Sequence, residues 1–70
     1  MQGHELRAQR KGAGLTQGEL AAAVGLTLGF IGEMERGEKA IERRTELAIR
    51  YVLEHGVDWV EEMLAAAPAG

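Results

Sequence analysis

Apolar residues along this chain recur three and four positions apart, and no stretch alternates apolar and polar residues as a strand would. A first helix is expected over about residues 2–11 with Leu6 inward, ended by Gly12, Ala13 and Gly14. Thr16-Gln17-Gly18-Glu19 reads as a capping box, in which a threonine hydroxyl and a glutamate carboxylate satisfy each other's backbone amides. A second helix should follow through Leu20, Ala21 and Val24 and stop at Gly25. Leu26 and Thr27 make a turn, and Thr27 caps a third helix that carries Ile31 and Met34 inward and ends at Gly37. After a polar loop, a fourth helix is expected over residues 41–55, with Leu47, Ala48, Tyr51 and Val52 on its inner face and Gly56 closing it. Asp58-Trp59-Val60-Glu61 is a second capping box, opening a fifth helix through Leu64. Residues 1–67 thus form one all-α domain of five helices, and residues 68–70, with Pro68 and Gly70, form a frayed tail.

Composition narrows the chemistry. Seventy residues without a cysteine allow one small domain and neither a disulfide nor a thiolate metal site. At 46% apolar and 27% charged residues the composition is that of a globular domain. No apolar run approaches the ~20 residues of a membrane span, and no leader pattern is seen, so a cytoplasmic location is expected. His4 and His55 lack a further ligand at metal spacing. Glu61 and Glu62 are adjacent and read as solvated charge rather than an acid/base pair. There is no serine or cysteine nucleophile and no phosphate-cradling glycine loop. An enzyme, a cofactor and a metal are therefore not expected. The net charge of −3 conceals a pattern. Arg7, Arg10 and Lys11 near the start, and Arg36, Lys39, Arg43, Arg44 and Arg50 after the third helix, make two basic segments around an acidic centre. Most of the acid excess lies in the last third, in Glu54, Asp58, Glu61 and Glu62.

The series Gly14-Leu15-Thr16-Gln17, Glu19-Leu20-Ala21, Val24-Gly25-Leu26-Thr27, Ile31 and Met34-Glu35-Arg36-Gly37 resembles the helix-turn-helix of the phage repressor and Cro (Xre-type) family of transcriptional regulators. The likeness spans about residues 6–59, with the helix-turn-helix itself at about 16–36. It implies a repressor-like fold of the lambda-repressor type, in which the small Ala21 lets two helices cross closely and Gly25 supplies positive φ at the turn. It further implies an ion pair between Arg10 and Glu35. By the same likeness Thr27, Leu28, Gly29 and Glu33 stand at base-reading positions. Thr16, Gln17, Phe30, Arg36 and Lys39 stand near the DNA backbone, and Arg43 and Arg44 are further candidates at the start of the fourth helix.

The third helix departs from that family in one respect. From Thr27 to Glu35 it has no Arg, Lys, Asn or Gln, the residues that make bidentate bonds to purine edges. Glu33 can accept from a cytosine amine, and Leu28 and Phe30 can touch thymine methyls, pack against the second helix, or meet a protein. Gly29 and Gly32 each cost about 1 kcal/mol of helix stability relative to alanine, which points to a close approach at both. The fourth and fifth helices, about residues 41–66, carry more apolar bulk than one small domain buries. Ile49, Leu53, Trp59 and Met63 are accordingly expected at a homodimer interface. Such a dimer would bind double-stranded DNA at an inverted-repeat operator, with two reading helices one turn apart. The resemblance implies a sequence-specific regulator, an autoregulatory repressor of a phage or bacterial operon, regulators of anti-CRISPR operons included. The alternative is an antitoxin or protein-binding adaptor using the same scaffold.

Overall fold

The structure is a computed structural model in which residues 1–58 are described. Among these are four helices: α1 (Gly3–Gly12), α2 (Gln17–Val24), α3 (Leu28–Glu35) and α4 (Arg43–His55). Of the fifth helix expected from Asp58, only Asp58 itself is described; the rest, with Trp59 and Met63, lies outside the described residues, as does the tail. No helix among the described residues is long and apolar enough to cross a membrane.

The local signals act as their chemistry requires. Thr16 Oγ1 accepts from the Glu19 amide at 3.1 Å, and a Glu19 carboxylate oxygen accepts from the Thr16 amide at 2.9 Å. Gly25 ends α2 in the left-handed region with φ 75°, where a side chain would cost about 1–2 kcal/mol. The Leu26 amide then donates to the Ala21 carbonyl, and Thr27 Oγ1 accepts from the Phe30 amide at 3.1 Å to start α3. The last helical residue of α3 is Glu35, with Arg36 as its cap. Gly37 (φ 78°) turns the chain just beyond.

One core joins all four helices. Leu6 comes from α1, Leu20 and Ala21 from α2, Ile31 and Met34 from α3, Ile49 and Val52 from α4, and Leu15 from the loop before α2. α2 packs on both α3 and α4, and α1 packs on α3. The loop to α4 is longer than expected. Ile41 and Glu42 precede the helix, and Ile41 packs at the edge of the core.

The face of α4 corrects the sequence reading. Ile49, expected at a dimer interface, is fully buried, and Leu53 is partly buried against the core. Leu47 and Tyr51, expected inside, are 58% and 52% exposed, and Ala48 is exposed with them. Val52 alone of that expected stripe is buried. The sequence offers two apolar stripes on α4, one through Leu47, Ala48 and Tyr51 and one through Ile49 and Leu53, with Val52 adjoining both. Helical periodicity accepts either. The choice is made by tertiary contacts, which turn the β-branched Ile49 and Val52 toward α2.

Candidate nucleic-acid interface

α3 is held by one side only. Ile31 and Met34 are 0% and 1% exposed, whereas Thr27, Leu28 and Gly29 at its first turn are open to solvent. Leu28 is 57% exposed, and its Cδ1 lies 3.6 Å from where a Cβ on Gly18 would stand, so it leans on the first turn of α2. Phe30 is half-buried and packs against the core, so of its three open assignments packing is the one the structure displays. Glu33 is half-buried, and its carboxylate makes no hydrogen bond among the described residues.

The two α3 glycines differ. A Cβ on Gly32 would lie 3.0 Å from Arg36 Nη1 and 3.8 Å from Gln17 Nε2, so the close approach expected there is real. A Cβ on Gly29 would meet nothing within 4 Å, so no close approach within the molecule accounts for that glycine.

At the far end of α3 the implied ion pair is present. Arg10 Nε and Nη2 donate to Glu35 Oε2 and Oε1 at 2.6 and 3.0 Å, with side chains 9% and 3% exposed. Arg10 Nη1 donates to the Leu15 carbonyl at 2.9 Å, and Gln17 Nε2 donates to Glu35 Oε1 at 3.1 Å. Burial pushes the Glu35 carboxyl up. The hydrogen bonds from Arg10 and Gln17 and the charges of Arg10 and Arg7 outweigh it and hold the group below the usual carboxylate range. The hydrogen bond to Glu35 in turn raises Arg10, against the opposing effect of burial. Gln17, expected at a phosphate, is thus also a brace between the start of α2 and the end of α3.

Arg7, Arg10, Gln17, Gly32, Glu35 and Arg36 line a cleft of about 260 Å³ at the start of α2. Arg7 and Arg36 are exposed on its rim. Arg36 also donates from Nε to Glu38 at 2.5 Å, and Lys39 is exposed just beyond. Thr16 keeps its hydroxyl oxygen in the capping box. Arg43 and Arg44 are exposed and line a different hollow, shared with Glu42 and Leu47. Arg50 pairs with Glu46 at 2.9 Å on the outer side of α4.

One structural residue carries no signal in the sequence. A Cβ on Gly3 would lie 2.2 Å from the Met34 carbonyl oxygen and 2.8 Å from that of Glu35, so the start of α1 sits directly on the end of α3. A glycine near a chain start reads as an ordinary flexible position, and only the packed structure reveals the contact.

A helix pair joined by a glycine turn, with the second helix anchored on one face and bare on the other, is the arrangement of DNA-binding helix-turn-helix modules. No significant match is found among curated proteins or among solved structures. A family model described as a helix-turn-helix domain matches residues 3–55, most of the chain and all four helices, and the chain belongs to that family.

Proposed function

We propose that this protein is a sequence-specific DNA-binding transcriptional regulator, a cytoplasmic repressor of a phage or bacterial operon that acts by occupying a promoter. The observation that carries the reading is the one-sided anchoring of α3, with Ile31 and Met34 buried and Thr27, Leu28 and Gly29 open. In this reading α3 enters the major groove, and the α2 start with Arg7, Gln17, Arg36 and Lys39 meets the phosphates that position it. A two-fold homodimer on an inverted repeat completes the proposal. Its α4 contact would use Leu47 and Tyr51, the large apolar side chains that the helix leaves exposed.

The test is selection of bound sequences from random duplex, followed by binding at several salt concentrations. With ~4–6 phosphate contacts, affinity should fall about 10²–10³-fold between 50 and 200 mM salt. A second reading, an adaptor or antitoxin that grips a protein, draws on the same 57% exposure of Leu28. It is favoured if no duplex is retained, or if the partner's affinity is flat with salt. Sedimentation at micromolar concentration tests the dimer, and a monomer there removes it.

A further inference from the structure

The reading face of α3 is chemically unusual, and four observations define what it can recognise. Apart from the Thr27 hydroxyl at its cap, whose oxygen accepts from the Phe30 amide, it offers no side-chain donor before Arg36, whose guanidinium lies over Gly32 beside Gln17 and is engaged by Glu38. Gln17 is occupied by Glu35. Phe30 is half-buried and packs against the core. What remains beyond Thr27 is Leu28, an apolar side chain steadied against Gly18, then Gly29 with open space above it, then Glu33 one turn later, half-buried, whose carboxylate feels the charge of Arg36 but makes no hydrogen bond among the described residues.

We infer that α3 reads pyrimidine groups: Leu28 packs on a thymine C5 methyl, and Glu33 accepts from a cytosine N4 amine. A carboxylate repels the N7 and O6 acceptors of guanine and can only accept, so the cytosine amine and the adenine N6 amine are its sole major-groove partners. Adenine is the poorer of the two, because its N7 acceptor adjoins the amine and faces the second carboxylate oxygen. Leucine has no polar atom and gains only where it removes apolar surface from water, which in the major groove is the thymine methyl. Gly29 suits this mode. Methyl contact requires van der Waals distance, and a residue without a side chain between Leu28 and Glu33 lets the helix backbone settle toward the groove floor.

The inference rests on the DNA-binding reading above, and its test separates the two. The best duplex from the selection is resynthesised with each thymine in turn replaced by uracil, which removes the methyl and keeps the base pair. One thymine per half-site should show about a four-fold loss of affinity, the factor for one buried methyl-sized group. The Leu28→Ala protein should bind thymine and uracil duplexes alike. It should stay folded, since this side chain lies outside the core, and thermal unfolding checks that. In Glu33→Gln the preferred base at one position should change from cytosine to adenine, the partner of a glutamine amide. Sequence-specific binding that is indifferent to uracil at every position, or a Leu28→Ala protein as sensitive to uracil as the parent, overturns the inference and leaves the DNA-binding reading intact. Failure to retain any duplex overturns both.

Discussion

α3 and α4 are each pinned by two fully or nearly fully buried apolar residues, yet they present opposite surfaces to solvent. α3 shows solvent one bare glycine, Gly29, one leucine and one half-buried carboxylate, its second glycine being covered by Arg36 and Gln17. α4 shows Leu47, Ala48 and Tyr51 beside Arg43, Arg44 and Arg50. The first surface is smooth and suits close contact with a polar groove. The second is bulky and apolar between charges, the character of a surface that meets another protein. Their anchorage differs too. The end of α3 is fixed by a buried, multiply hydrogen-bonded ion pair, whereas the charged pair on α4, Arg50 with Glu46, sits at the surface.

The largest expected effect breaks that contrast at the ion pair. Glu35→Ala leaves Arg10 charged and buried without its partner, and should destabilise the fold by about 3–5 kcal/mol in chemical denaturation. Arg50→Ala should leave the midpoint almost unmoved. The same pair has a pH signature. Glu35 is held below its ordinary range, so its contribution is present above the unfolded value and is lost as pH falls through the folded one, with Arg10 cationic throughout. Stability should therefore be level near neutrality and fall in acid, and the acid limb should flatten in Glu35→Gln.

Next in size is the phase of α4. Ile49→Ala should cost about 2–5 kcal/mol, and Leu47→Ala should stay within about 0.5 kcal/mol. Equal costs would mean that the helix is rotated from the orientation described here. The smallest effect concerns the α1–α3 contact. Gly3→Ala drives a methyl into two carbonyl oxygens and should cost about 1–3 kcal/mol by thermal melting, although an alanine would favour an isolated helix.

The pattern of success along the chain has a physical explanation. Thr16, Glu19, Gly25 and Thr27 were legible because caps and left-handed turns are decided within four residues of sequence. Ile31 and Met34 were legible because α3 has a single apolar stripe. α4 has two, and periodicity carries no information about which of them a neighbour will cover. The Arg10–Glu35 pair followed from resemblance, since 25 residues separate its members. Gly3 and the Gly18–Leu28 contact depend on where helices touch, and no local pattern reports that. The position of Gln17 was foreseen, but its engagement with Glu35 was not, because a free amide near a helix start looks the same whether its partner is a phosphate or a carboxylate.

Arg10 holds the Leu15 carbonyl with one nitrogen and the Glu35 carboxylate with two others, and that carboxylate also receives Gln17. A single planar side chain thereby gauges the separation between the tip of α2 and the terminus of α3. Lysine at position 10 would keep the charge but has no rigid fork with which to hold that spacing. Such a replacement would leave the domain folded with its two tips poorly spaced, so the defect would show in how they seat together before it showed in a melting curve.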